Sequence, residues 1–107
     1  QTLQQTAKEF KTSVDIKSEL EDKTFKVEEN EAVISLAGRA LANLGLKMHI
    51  TPGGGGMDGN HFNQHGNKAV GLSPGYQNVH TPNEIQSVDD LIKCGRLVTE
   101  IIRESIS

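Results

Sequence analysis

The sequence has one cysteine, no long run of either charge and no signal-peptide pattern at its start. Cys94 alone cannot form an internal disulfide, and in a helical pattern a small buried hydrophobe is a commoner role for it than a reactive thiol. A reducing, cytoplasmic compartment is therefore expected. No apolar stretch approaches the roughly 20 residues that cross a bilayer, so we expect no membrane contact.

Charge argues against nucleic acid as a partner. The chain carries 11 basic and 14 acidic side chains, a net charge of -3, and shows no clustered basic footprint for a phosphate backbone. Leu, Ile, Val and Phe make up about a quarter of the chain, above the level below which chains tend to stay disordered. We therefore expect a folded unit with a modest core that it shares with something else.

The first part of the chain predicts a helix followed by a strand. Leu3, Ala7 and Phe10 recur at helical spacing, and from Ser13 to Leu20 apolar and polar residues alternate. That alternation is typical of a half-exposed strand in an antiparallel sheet. Residues 21–30 break the pattern and gather acidic groups before a new periodicity, which marks the junction between two structural units.

From residue 31 onward, helical and strand patterns alternate. The expected elements are a helix over 33–44 ended by Gly45, a strand over 47–51, a helix capped by Asp58 and ended by Gly66, a strand over 69–72 and a final helix capped by Ser87. The final helix presents an apolar face of Val88, Leu91, Ile92, Gly95, Val98, Ile101 and Ile102. This order predicts an α/β layered fold, in which ligands bind where strands end, here at loops 52–57 and 73–81.

Four consecutive glycines, Gly53 to Gly56, follow a predicted strand end. Each glycine carries a large entropic cost on ordering, so the cluster favours a loop whose bare amides approach a ligand over a simple linker. Gly54, Gly56 and Gly59 also satisfy a dinucleotide-binding spacing. That match carries little weight, because Gly66 stops the following helix early.

The four histidines differ in their surroundings. His49 lies on the solvent face of a predicted strand, and His61 and His65 share a helical face without the glutamate of a zinc-protease helix. His80 follows a strand and a loop and precedes Glu84, which makes it a candidate metal ligand or acid-base group. Position alone leaves a functional and an ordinary loop histidine equally open.

Two segments together resemble the C-terminal signature of co-catalytic zinc exopeptidases, and most closely the peptidase T family of tripeptide aminopeptidases. They are GGGMDGNHFNQHG, residues 54–66, and GYQNVHTPNE, residues 75–84. That family has Gly-Gly-x-Asp-(Ala/Gly)-Asn-x-Phe-Asn-x-x-Gly, then a strand, then Asn-Val-His-Thr-x-x-Glu. The resemblance runs from about residue 25 to the end of the sequence.

The resemblance implies an α/β fold. It places residues 25–107 in the C-terminal part of a layered α/β/α zinc-exopeptidase catalytic domain. It places residues 1–24 in the last helix and strand of an inserted α+β lid or dimerisation domain. A homodimer through that lid is the expected assembly. The implied boundary agrees with the junction that the charge pattern places at residues 21–30.

The resemblance also assigns roles to residues. His80 is implied to be a metal ligand. The backbone amides of Gly54, Gly55 and Gly56, together with Asp58 and Asn60, are implied to bind the substrate. The resemblance further implies a complete site with two zinc ions, or cobalt or manganese in their place, that hydrolyses tripeptides or short peptides through a metal-bridged water.

The general base and the other metal ligands are expected upstream of residue 1, so this chain has no catalytic residue of its own and is expected to be inactive alone. Met57 and the pair Asn67-Lys68 depart from the family's pattern. These departures leave an N-acyl amidohydrolase or dipeptidase of the same family open. Two non-catalytic alternatives are a ligand-binding module built on the glycine loop and a dimerisation piece.

Overall fold

The computed structural model describes residues 2–73 and 75–107 and contains four helices within them. They are α1 (Thr2–Glu9), α2 (Ala32–Asn43), α3 (Asp58–Gln64) and α4 (Val88–Ser105). Each coincides with a predicted helix to within a few residues. Gln1, the first position of the predicted lid segment, and Pro74, in the predicted loop 73–81, lie outside the described residues.

The first three helices end in the same way, with a residue in the left-handed region just past the C-cap. Gly45 ends α2 with φ +68° and Gly66 ends α3 with φ +83°, both as predicted. After α2, the amide of Gly45 donates to Ala42 and that of Leu46 donates to Leu41, which is a Schellman motif. After α1 the left-handed position is Lys11, with φ +51°, where the sequence offers no glycine.

The starts of α3 and α4 differ in how well they were predicted. Ser87 caps α4 as expected, since its hydroxyl oxygen accepts the amide of Asp90 at 3.0 Å. Asp58 is not the N-cap of α3: the helix already begins at Asp58, and Met57 is its N-cap. The Met57 amide is satisfied instead by the side chain of Asn60, three residues further on. Asp58 remains in the first turn, where a negative charge suits the helix dipole.

The predicted strands do not form ladders in the part of the chain that the structure describes. Residues 13–20, 47–51 and 69–72 have neither helical nor strand structure, and the only β pairing among the described residues is an isolated antiparallel bridge between Gln77 and Ile85. A strand exists only through hydrogen bonds to a neighbouring strand, and none lies beside these segments. The layered sheet expected for this chain is therefore not seen among the described residues, and it stays a prediction.

Helices α2 and α4 pack against each other and form the small core. Ile34, Ala37 and Ala40 of α2 and Leu97 of α4 are buried. A polar network closes the edge of this contact. Asn43 donates from its amide to Glu100 at 2.9 Å and to Glu104 at 2.8 Å. Arg39 donates from Nε to the other carboxylate oxygen of Glu104 at 2.9 Å.

The predicted apolar face of α4 is largely uncovered. Val88, Leu91, Ile92, Val98 and Ile102 are between 48% and 71% exposed, and Leu97, which the predicted face omits, is the one buried residue of α4, at 8% exposure. The radius of gyration is 20.0 Å, against about 13 Å for a compact domain of this length. The core is thus as modest as the composition predicts. No helix in the described ranges is both long and apolar enough to cross a bilayer.

Candidate functional site

The junction segment, the glycine loop and α3 meet at Asp22. Its Oδ1 lies 3.1 Å from His61 Nε2, close enough for an ion pair when His61 is protonated. That oxygen is buried and has no hydrogen bond within the described residues, so the contact with His61 is electrostatic rather than a directed bond. Because both side chains are partly exposed, the pair contributes at most about 1 kcal/mol.

Gly56 lies directly against the same carboxylate. A Cβ built on Gly56 would lie 2.5 Å from Asp22 Oδ2, which is closer than real Cβ contacts come. Glycine at position 56 allows the Asp22 carboxylate to come this close, and a side chain there would require the carboxylate to move. No local pattern predicts this contact, because Asp22 is distant in the chain and its neighbours indicate only a junction.

Gly54 and Gly55 differ from Gly56 in this respect. A Cβ on either would meet nothing within 4 Å of the described residues, and Gly55 has φ +90°, a conformation that L side chains rarely adopt. The backbone of this part of the loop faces open space. Packing within the described chain therefore gives no reason for glycine at position 54.

Asn60 is the one buried polar residue in the described part of the chain, at 6% exposure. Its Oδ1 accepts the Met57 amide at 3.0 Å, and its Nδ2 donates to the Lys23 carbonyl at 2.9 Å. The side chain predicted to bind substrate thus joins the start of α3 to the junction segment. Both ends of its amide are engaged inside the chain.

Asn63 has a corresponding role at the other end of α3, and the sequence analysis missed it. Its Nδ2 donates to the carbonyls of Gly59 at 2.7 Å and Ala69 at 2.8 Å, and its Oδ1 accepts the Ala69 amide at 3.4 Å. The two asparagines of the Asn-x-Phe-Asn segment therefore tie α3 to the segments on either side of it. The motif itself was the signal that could have pointed to them.

His80 lies in a loop closed by the Gln77–Ile85 bridge, with backbone bonds of 2.9 and 3.1 Å. Within the loop, the Thr81 hydroxyl donates to Asn78 at 2.7 Å and accepts from the Asn83 amide at 3.2 Å. The His80 amide donates to the carboxylate of Glu84 at 2.8 Å. His80 itself has φ +63°, a conformation that costs a non-glycine residue on the order of 1 kcal/mol.

The ring of His80 has no hydrogen bond or ion pair with any described residue. By contrast, His61 contacts Asp22, and His65 Nδ1 lies 2.8 Å from the His61 carbonyl oxygen. Imidazole is a usual zinc ligand, and a catalytic zinc takes about three protein ligands. Within residues 2–73 and 75–107 no three His, Cys, Asp or Glu side chains come together. A metal bound by His80 would therefore need its other ligands from outside the described residues.

The predicted site residues fall into two groups. Gly56 and Asn60 are joined through Asp22, Lys23 and α3, whereas no hydrogen bond or ion pair among the described residues connects them to the His80 loop.

Two carboxylates elsewhere are electrostatically perturbed. The Ser87 hydroxyl and then Lys93 hold the pKa of Asp90 below its usual value. The Arg39 guanidinium and then the Asn43 amide do the same for the pKa of Glu104. Both groups stabilise helix α4 or its contact with α2. Neither belongs to the predicted site.

The family model of peptidase family M20/M25/M40 matches residues 3–104 of the chain. A Peptidase T of Brevibacillus brevis is 32% identical over 101 residues, which cover 94% of this chain and 25% of that protein. The uncharacterized protein YqjE of Bacillus subtilis is 35% identical over 81 residues, or 76% of this chain and 22% of that protein. The resemblance carried by the two segments is thereby confirmed.

A solved structure shares the fold. The crystal structure of aminopeptidase PepT from Bacillus cereus ATCC 10987 superimposes with a TM-score of 0.78 at 34% identity, covering 97% of this chain and 28% of that one. The chain thus spans about a quarter of the length of the relatives it matches.

Proposed function

The chain belongs to peptidase family M20/M25/M40, and from this premise we propose that it is the C-terminal part of a zinc-dependent aminopeptidase that hydrolyses tripeptides or other short peptides. The observation that carries the proposal is the His80 loop. It presents an exposed imidazole that no described residue engages, within the segment that resembles the family's metal-binding signature.

The proposal divides the chain at residue 24. Residues 1–24 end the lid or dimerisation domain, and residues 25–107 belong to the catalytic domain. Support comes from α1, which packs against none of the other described helices. The contacts of Asp22 with His61 and of Lys23 with Asn60 lie at this boundary. They would fix the point where the chain enters the catalytic domain.

His80 would hold one of two zinc ions, and the remaining ligands and the general base would come from outside this chain. Zinc, when bound, supplies Lewis acidity to the scissile carbonyl and activates water for hydrolysis. The residues of this chain position the imidazole and bind the substrate. We assign no catalytic residue to the chain, and we propose that it is inactive alone.

The amides of Gly54 and Gly55 would bind a carboxylate or carbonyl of the peptide. Their backbone faces open space, and packing within the described residues does not explain why position 54 is glycine. Bare amides suit an anionic or carbonyl oxygen. Gly56 would shape the loop through Asp22. Asn60 would position the loop by holding the Met57 amide rather than by touching the peptide.

The two departures from the family's pattern have structural neighbours inside the chain. Lys68 pairs with Glu31 at 3.1 Å. Met57 lies beside Gly59 and Gly71, whose added Cβ atoms would meet its sulfur at 3.3 and 3.2 Å. These contacts account for Lys68 and Met57 without a different substrate. A cytoplasmic location and a homodimer through the lid domain complete the proposal.

The test compares the 107-residue chain with the complete polypeptide that contains it, on a tripeptide with added zinc. We expect activity only in the complete polypeptide and a loss of at least about 100-fold in His80→Ala, because removing a ligand should cost no less than the roughly 10- to 100-fold that is lost with a residue that orients one. His49→Ala is the matched control, because His49 is also exposed and its ring makes no hydrogen bond or ion pair with a described residue. Activity of the isolated chain would contradict the split site, and full activity of His80→Ala would contradict the ligand role.

A substrate panel tests the specificity. Hydrolysis of an N-acyl amino acid or a dipeptide in preference to tripeptides would replace the aminopeptidase assignment with one of the other activities of the family. A glycine-loop module without catalysis is disfavoured by α3, which spans seven residues and ends at Gly66. A helix this short offers little dipole to a bound anion.

A further inference from the structure

We propose that Glu84 is a positioning residue for His80, holding its backbone in the left-handed conformation through the amide of residue 80. The geometry is direct. Glu84 Oε2 accepts the His80 amide at 2.8 Å, and the amide of Glu84 donates in turn to the Thr81 carbonyl at 3.0 Å. The purpose of this positioning rests on the proposed function, whereas the hydrogen bond between Glu84 and the His80 amide does not depend on it.

The backbone of His80 needs such support because its φ of +63° is unfavourable for a residue with a Cβ. Asn78, with φ +54°, is the other left-handed residue of the loop, and asparagine tolerates this region better than histidine does. The rest of the loop is held by Thr81 and by the Gln77–Ile85 bridge. Among the described residues, Glu84 supplies the one hydrogen bond made by residue 80.

The Glu84 contact sets the direction in which the imidazole projects and does not bind the ring itself. Glu84 accepts from the main chain, and neither ring nitrogen of His80 is engaged by a described residue. A carboxylate that bound the ring would instead compete with a metal or fix a tautomer. The ring is left available for a metal, and the backbone from which the ring projects is held in place. A metal ligand requires both.

The test uses Glu84→Ala and Glu84→Gln in the complete polypeptide. Glutamine keeps an acceptor oxygen for the His80 amide but loses the charge, whereas alanine loses both. Glu29→Ala is the control, because Glu29 is an exposed carboxylate without a hydrogen bond or ion pair among the described residues. Two quantities are measured. One is hydrogen exchange of the peptide covering residues 77–85, and the other is zinc affinity in a chelator-buffered titration.

We expect Glu84→Ala to speed exchange of the loop and to weaken zinc binding about 10- to 100-fold, as loss of a residue that orients a ligand typically does. Glu84→Gln should restore both to near the original values. If glutamine weakens zinc as much as alanine does, Glu84 acts by its charge or as a ligand, and the positioning role is wrong. Unchanged exchange and affinity in Glu84→Ala would equally overturn it.

His80→Ala separates this inference from the function on which it rests. If His80→Ala leaves zinc affinity unchanged, the proposed ligand role fails. The exchange of the 77–85 peptide in Glu84→Ala then still decides whether Glu84 holds residue 80. If zinc affinity falls in His80→Ala but not in Glu84→Ala, the ligand role stands and the positioning role fails.

Discussion

Asn60 donates from its side-chain amide to the carbonyl of Lys23 at 2.9 Å, across 37 positions of sequence. This bond connects α3 to the segment where the charge pattern places a structural junction. It gives the buried asparagine of the family-like motif an architectural role. The same motif holds Asn63, which fastens the other end of α3 to Ala69.

Asn60→Ala should lower the free energy of unfolding by about 2 kcal/mol, since two hydrogen bonds of about 1 kcal/mol each are lost. Urea denaturation measures this. Asn67→Ala is the matched control, because its exposed side chain makes no hydrogen bond with the described residues, and it should change stability by less than about 0.5 kcal/mol. Equal effects of the two substitutions would show that the buried bonds of Asn60 contribute nothing.

Gly56→Ala should displace the Asp22 carboxylate, which lies 2.5 Å from the new Cβ, and should break the contact with His61. The side chain can rotate away, so we expect a cost of about 1 kcal/mol. In an Asp22→Ala background the same substitution should cost much less. Gly54→Ala, where the Cβ meets open space, should be neutral. Additive effects of Gly56→Ala and Asp22→Ala in a double-mutant cycle would contradict the contact.

The contact between α2 and α4 should weaken in acid through Glu104. Arg39 and then Asn43 lower the pKa of Glu104 in the folded chain. The carboxylate therefore stabilises the fold above the unfolded pKa of about 4.3, and this contribution is lost as pH falls through the lower, folded pKa. Urea midpoints between about pH 6 and pH 3 should fall less steeply in Glu104→Gln than in the original chain. Glu29→Gln, which removes an unpaired carboxylate, should leave the slope unchanged.

Gly45→Ala should destabilise α2 by about 1 kcal/mol, because alanine is strained at the φ of +68° that the Schellman motif requires. Gly45→Asn should recover part of that loss, since asparagine tolerates the left-handed region. Circular dichroism during urea denaturation reports the change. A φ-independent explanation, such as lost backbone freedom in the unfolded chain, predicts the opposite sign for alanine.

The helices could be predicted from sequence because their signals are local. Ser87 and Asp90 lie three residues apart, and Gly45 and Gly66 each follow the helix that they end. The strands could not be predicted in the same way, because a strand forms only beside a partner strand, and an alternating pattern does not identify that partner. The face of α4 was misassigned for a related reason: α4 is apolar on more than one side, and only the position of α2 decides that Leu97 is the buried residue.

The candidate site shows the same difference between features with a local sequence signal and features that depend on distant residues. His80 could be selected by its place in a loop and by the resemblance of its segment to a known family. The bond from its amide to Glu84, and those of Asn60 and Asp22 to distant segments, follow from the folded path of the chain. The spacing of residues along the sequence does not predict a hydrogen bond between two residues that are 37 positions apart.

The bridge between Gln77 and Ile85 makes the histidine loop self-contained, because every hydrogen bond described for residues 78–84 has its partner within 77–85. We therefore expect the segment 77–85 to hold its shape outside this chain. Grafted between two adjacent antiparallel strands of an unrelated scaffold, it should keep its internal geometry and carry its imidazole with it, which makes it a ready building block for engineered metal centres.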